Sequence, residues 1–155
     1  MITIAIDPGK TGAIAVDLGE EGVDCFKMPE TMPDICAFIA DLNGKSTHRV
    51  AYIEKTNFAL KGPSGHFMAS QAIKVARSFE TLRTALYIYG FETYEVQPNK
   101  WIRGFIGDGY KGQDQQAKRK RAIKEKAQQI YPHLKVTLQK ADALGLLAWA
   151  TKGER

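Results

Sequence analysis

The chain opens Met1-Ile2-Thr3-Ile4-Ala5-Ile6-Asp7-Pro8-Gly9-Lys10-Thr11-Gly12-Ala13-Ile14-Ala15-Val16. Two apolar runs flank a Pro-Gly pair. Residues 2–7 and 12–17 therefore read as strands reversed by a tight turn at Pro8-Gly9-Lys10-Thr11. The first run ends on a carboxylate. Asp7 has a structural reading, because Asp starts turns. It also has a chemical one, as a carboxylate held at the end of an apolar strand.

Outward from this stretch, Gly19-Glu20-Glu21-Gly22 leads into a third strand near 22–28, which completes an antiparallel meander. Thr31-Met32-Pro33-Asp34 starts a helix, with Pro early and Ile35, Phe38, Ile39 and Leu42 on one face. Asn43-Gly44 ends it. Arg49 to Glu54 is a fourth strand, followed by the loop Lys61-Gly62-Pro63-Ser64-Gly65. A long helix is expected over 66–89, where Met68, Ala72, Val75, Phe79, Leu82 and Leu86 recur at heptad-like spacing. Gly90 stops it. Residues 91–96 alternate as a fifth strand, Pro98 to Phe105 is a short helical piece, and Gly104 to Gly112 a mobile loop. Residues 114–130 form a basic helix, and Ala141 to Lys152 an apolar one. Three strands, then alternating helices and strands, predict an α/β fold: a mixed five-stranded sheet flanked by helices.

The 155 residues suit one domain, 1–155, with an ordinary core. Composition is that of a soluble globular protein, at 44% hydrophobic and 25% charged residues. No run approaches the ~20 apolar residues of a membrane span, and Asp7 and Lys10 interrupt any leader-like start. Cys25 and Cys36 lack metal-like spacing, and His48, His66 and His133 are isolated. Both facts predict a reduced, cytoplasmic protein without structural zinc. The net charge of +5 favours polyanionic partners weakly. Its distribution says more, since Lys111, Lys118, Arg119, Lys120, Arg121, Lys124 and Lys126 crowd one segment.

Three carboxylates stand at telling positions. Asp7 ends the first strand, Glu54 ends the fourth, and Asp142 is expected to open the last helix. If the first and fourth strands are neighbours, Asp7 and Glu54 project from adjacent strand ends, and a helix crossing that edge can bring Asp142 to them. Clustered carboxylates repel one another unless cations sit between them. All-oxygen donors suit Mg²⁺ or Mn²⁺, and two such ions about 4 Å apart can activate water and stabilise the leaving oxygen of a phosphodiester. Singly, each acid has a bland reading: a turn, a solvated strand end, and a helix N-terminus favoured by the macrodipole.

Four passages carry a family resemblance. Ile4-Ala5-Ile6-Asp7-Pro8-Gly9 with Gly12 resembles the opening of RuvC-type Holliday-junction resolvases, and Tyr52-Ile53-Glu54 their second acidic strand. Tyr94 to Trp101 resembles the passage after their fifth strand, and Ala141-Asp142-Ala143-Leu144-Gly145-Leu146-Leu147-Ala148 is similar to their closing helix. The likeness spans nearly the whole chain and looks most like compact phage or prophage members. It implies a ribonuclease H-like fold and an endonuclease that cuts four-way DNA junctions by symmetric nicks. It further implies two Mg²⁺ ions per site, replaceable by Mn²⁺, on Asp7, Glu54 and Asp142, and a homodimer through helix 66–89. The family commonly carries a fourth ligand one turn before the final Asp. That position is Gln139 here, which offers only a neutral carbonyl oxygen, beside the cation of Lys140.

For DNA grip, the loop after Glu54 supplies Lys61 and Phe58, the latter a candidate for stacking on an unpaired base. Phe67 reads equally as core. Lys100 is a candidate phosphate contact, whereas Trp101 reads as packing. Lys111, Lys118, Arg119, Lys120 and Arg121 form a candidate backbone-phosphate clamp, with a solvated helix face as the alternative. Three other functions stay open. One is an ATP-binding protein of the actin and sugar-kinase type, suggested by Lys10-Thr11-Gly12 but short of a second phosphate loop. The others are a related nuclease on RNA or flaps, and a junction-binding protein that does not cut, motivated by Gln139 and Lys140.

Overall fold

Alternation along the first strand decides the layers of the fold. The computed structural model describes residues 1–56, 69–110 and 115–153. In β1 (Ile2–Asp7), Ile2, Ile4 and Ile6 join one core cluster and Ala5 the opposite one. Successive side chains of a strand point to opposite faces. Asp7 therefore shares the face of Ala5.

Five strands form one mixed sheet in the order β3-β2-β1-β4-β5. β2 (Ala13–Asp17) pairs antiparallel with β1 and with β3 (Val23–Lys27), the expected meander. β4 (Arg49–Glu54) lies parallel to β1 and to β5 (Glu92–Val96). β2 begins at Ala13, one residue later than expected, because Gly12 belongs to the reversal. Gly12 donates its N–H to the Gly9 carbonyl at 3.0 Å, and Gly9 has φ 128°, a left-handed conformation that suits glycine. A short 3-10 turn (Gly19–Glu21) joins β2 to β3.

One face of the sheet carries α1 (Met32–Asn43) and α2 (Ala69–Ile88). Thr31 caps α1: its hydroxyl accepts from the Asp34 N–H at 3.3 Å and donates to the Asp34 carboxylate at 2.6 Å. Of the expected stripe, Ile35, Ile39 and Leu42 are buried, while Phe38 packs edge-on against Phe26 with centroids 5.3 Å apart. In α2, Ala72, Phe79, Leu82 and Leu86 are buried as their spacing predicts, and Val75 is partly buried. Gly90, at φ 68°, ends the helix, with Phe91 N–H reaching back to the Leu86 carbonyl at 2.9 Å. Residues 66–68, expected as the start of this helix, lie outside the described residues.

The opposite face carries α5 (Leu138–Thr151) against the sheet, with α3 (Pro98–Ile106) and α4 (Gln116–Ile130) packed on it. Ala5, Ala13 and Ala15 line this side of the sheet with no exposure, so α5 can approach closely. Apart from Asp142, every residue of α5 from Ala141 to Ala150 is buried, because the helix is enclosed between sheet and helices. At Gly145 a Cβ would stand 3.0 Å from the Trp101 ring, 3.1 Å from Phe105 and 3.2 Å from Ile123. Two expectations shift here. α3 runs through Gly104 and Phe105 to Ile106, because Phe105 is a buried anchor, so the loop expected from Gly104 begins at Gly107 instead. α5 begins at Leu138, four residues before Asp142, with Thr137 in the extended conformation of an N-cap.

Candidate metal-carboxylate site

The parallel register of β1 and β4 runs Ile4 with Ala51, Ala5 with Tyr52 and Ile6 with Ile53. Asp7 and Glu54 follow one residue on, at neighbouring strand ends. Both fall on the α5 side, because Asp7 continues the face of Ala5 and Glu54 the face of Tyr52. The Lys55 N–H donates to the Val96 carbonyl at 2.8 Å, which extends the β4–β5 pairing past Glu54 and fixes the backbone on both sides of it.

Asp142 reaches the same place from α5. It lies in the second turn rather than at the N-terminus, where the macrodipole has faded, so the bland reading as a dipole partner does not hold. All three acids are partly buried. Burial, then the charges of Glu54 and Asp142, push Asp7 up to about 8, against an opposing pull from Lys120. Burial likewise pushes Glu54 up to about 7; the Trp101 hydrogen bond opposes the rise, Asp142 adds to it and Arg119 opposes it. Burial also raises Asp142, with Lys120 and then Arg119 pulling it down. The three carboxylates thus sense one another and face two cations of α4.

Among the described residues, no three His, Cys, Asp or Glu side chains are gathered closely enough to hold a metal ion as they stand. In donor chemistry the acids still fit a hard divalent cation. They are three partly buried carboxylates that are costly to ionise together, and bound cations invert that local logic.

The other predicted residues divide. Arg119 and Lys120 act on the acids, and Arg119 with Lys100 lines an open cleft of about 800 Å³. Lys100 also places its Nζ 5.7 Å from the centre of the Trp149 ring. Lys118 and Arg121 are exposed on α4, and neither is among the charges acting on the acids. Gln139 is exposed in the first turn of α5, three residues before Asp142. Phe58, Lys61, Phe67 and Lys111 lie outside the described residues.

Three features of the site are not legible in the sequence. The Trp101 indole N–H donates to Glu54 Oε2 at 2.6 Å, so this residue is packing and site at once. Arg103 and Tyr110 join Lys100 and Arg119 around the larger cleft. A second cleft, about 660 Å³, contains Glu54 and adjoins the first through Gln97 and Asn99. The available signal is position: residues just past β5 follow a strand parallel to the one that ends in Glu54.

Strand order, the enclosed α5 and the acids at parallel strand ends define a ribonuclease H-like fold. Two solved structures share it nearly end to end. The RuvC structure from Thermus thermophilus superposes with a TM-score of 0.64 at 17% identity, covering 98% of this chain and 96% of that one. A T. thermophilus RuvC in complex with Holliday junction substrate gives a TM-score of 0.64 at 15% identity, with coverage of 97% and 93%. No family model and no curated relative matches the chain. The fold is that of RuvC. Because chain lengths agree so closely, size lends nothing to the expected likeness to phage or prophage members.

Proposed function

We propose that this protein is a divalent-metal-dependent endonuclease that resolves four-way DNA junctions by paired phosphodiester cuts. One observation carries the reading: Asp7 and Glu54 end adjacent parallel strands on the face where Asp142 arrives from α5. Supporting it, the chain shares its fold with a RuvC that was solved on a Holliday junction substrate.

Asp7, Glu54 and Asp142 would hold two Mg²⁺ ions, for which Mn²⁺ would substitute, with the Gln139 carbonyl as the proposed fourth donor. When bound, such ions lower the pKa of water and stabilise charge on the phosphate oxygens. The chain's own part is to orient and to neutralise. Arg119 and Lys120 balance carboxylate charge and receive the phosphate backbone. Lys100, Lys118 and Arg121, with Lys61 and Lys111 beyond the described residues, hold the arms by contacts that position without reading sequence. Phe58 is the proposed stacking residue at the junction centre.

A symmetric double cut needs two sites, so the working unit is a homodimer through α2. Ile73, Tyr87 and Ile88 are 60, 84 and 67% exposed along that helix, an apolar stripe that pairing would cover. No helix among the described residues is long and apolar enough to cross a membrane; the proposed setting is the cytoplasm. A second reading, a junction-binding protein that does not cut, draws on the same acids not being gathered closely enough to hold a metal ion as they stand.

The deciding experiment offers the protein a synthetic four-way junction, a flap, a linear duplex and an RNA–DNA hybrid with Mg²⁺ or Mn²⁺. Paired nicks in the junction alone, abolished in an Asp7→Asn variant that still binds, are expected. Binding without cutting would favour the second reading, and equal cutting of linear duplex would remove junction selectivity. Cutting of the hybrid or flap alone would move the assignment to a related nuclease.

A further inference from the structure

Trp101 has no solvent exposure, yet it carries an N–H, and a buried indole N–H requires a partner. Its partner is one specific oxygen, Glu54 Oε2, at 2.6 Å. The ring cannot follow the carboxylate if the latter turns. Pro98 sets the entry to α3, a Cβ at Gly145 would stand 3.0 Å from the ring, and Phe105 packs on it with centroids 6.4 Å apart. Meanwhile Glu54 borders the second cleft.

We propose that Trp101 is a positioning residue that engages one lone pair of Glu54 Oε2 and fixes the turn of this carboxylate, so that a cation would meet it in one set orientation. The inference rests on the metal-carboxylate reading above and adds to it a basis for choosing the ion. Ca²⁺ accepts six to eight oxygens and readily takes a carboxylate through both, whereas Mg²⁺ demands near-octahedral geometry. A glutamate held in one orientation, with one oxygen already engaged by a hydrogen bond, would suit the strict geometry of Mg²⁺ better than the adaptable shell of Ca²⁺. Hydrogen-bond partners behind metal ligands commonly have this orienting effect.

The test needs the N–H removed with the ring left in place. The chain has two tryptophans. A Trp149→Phe parent leaves Trp101 alone to be replaced biosynthetically by β-(3-benzothienyl)alanine, whose sulfur stands where the N–H was. Trp101→Phe in the natural chain is the simpler companion. Calorimetric titration of metal-free protein with Mg²⁺ and with Ca²⁺, each against its parent, reads two affinities. The expected result is an Mg²⁺ affinity reduced about tenfold with Ca²⁺ affinity held or raised, so that selectivity falls by about tenfold or more. A purely structural tryptophan would weaken both ions equally, and that result, or an unchanged ratio, overturns the proposal. If the unmodified chain binds neither ion, the metal reading fails first and this inference falls with it.

Discussion

Gly12 lies against the carbonyl of Asp7 so closely that a Cβ there would stand 1.9 Å from that oxygen. The close approach lets β2 start directly opposite Asp7, which pairs with Ala13, and so holds the first acid of the site at a bend with no slack. Gly12→Ala must shift the backbone that carries Asp7. A destabilisation of roughly 2–4 kcal/mol is expected in urea unfolding, while Thr11→Ala, at an exposed neighbour, stays within about 0.5 kcal/mol.

The paired acids predict how stability responds to pH without metal. Asp7 is raised from 3.8 to about 8 and Glu54 from 4.5 to about 7 in the folded chain. Between these limits the folded state binds more protons than the unfolded state. Stability from this pair is therefore full below about pH 4 and is lost as pH rises through 7 and 8. Thermal unfolding in chelator should show a falling midpoint over that window. Asp7→Asn should flatten the fall and add roughly 1–3 kcal/mol at pH 8.

Divalent cations should reverse this trend. Carboxylates must be ionised to bind a metal, so Mg²⁺ or Mn²⁺ should raise the melting midpoint at pH 8 far more than at pH 5. A hundredfold excess over Kd corresponds to about 2.7 kcal/mol. Equal shifts at both pH values, or the same gain in Asp7→Asn, would speak against binding at these acids.

On α4, Arg119 and Lys120 differ from their neighbours in facing the acids. Replacing either with Gln should weaken junction binding and lower the salt slope by about 0.9 for each phosphate no longer neutralised. The titration is a junction-binding assay across ionic strengths. It should leave the relative affinity for different arm sequences unchanged, since backbone contacts carry no sequence information.

The exposed stripe of α2 predicts the assembly state. Tyr87→Asp combined with Ile88→Asp sets charge on the proposed pairing face without touching the core. Light scattering should find the unmodified chain dimeric and this variant monomeric, with a melting midpoint that no longer depends on protein concentration.

Much of the fold is legible in the sequence because its signals are local. The period of two in Ile2-Ile4-Ile6 and the heptad in α2 report faces directly. Expectation and structure part where a distant partner overrides local chemistry. Gly104 has the local character of a loop start, but Phe105 one residue on is anchored in the core, so α3 continues past it. Asp142 has the character of a helix start, but α5 begins a turn earlier, at Leu138 after the extended Thr137. Trp101 has the character of packing alone, because nothing in its own segment reveals that Glu54 lies across the neighbouring parallel strand.

The sequence by itself determined the strands, the helices and the three carboxylates, since residue type and spacing act over a few residues. Only the tertiary structure decided that β4 pairs beside β1, that α5 is enclosed against the sheet, and that Asp7, Glu54 and Asp142 share one charged corner with Arg119 and Lys120. Those relations depend on packing between segments far apart in the chain. There, small side chains such as Ala5, Ala13 and Gly145 set how closely the elements can approach.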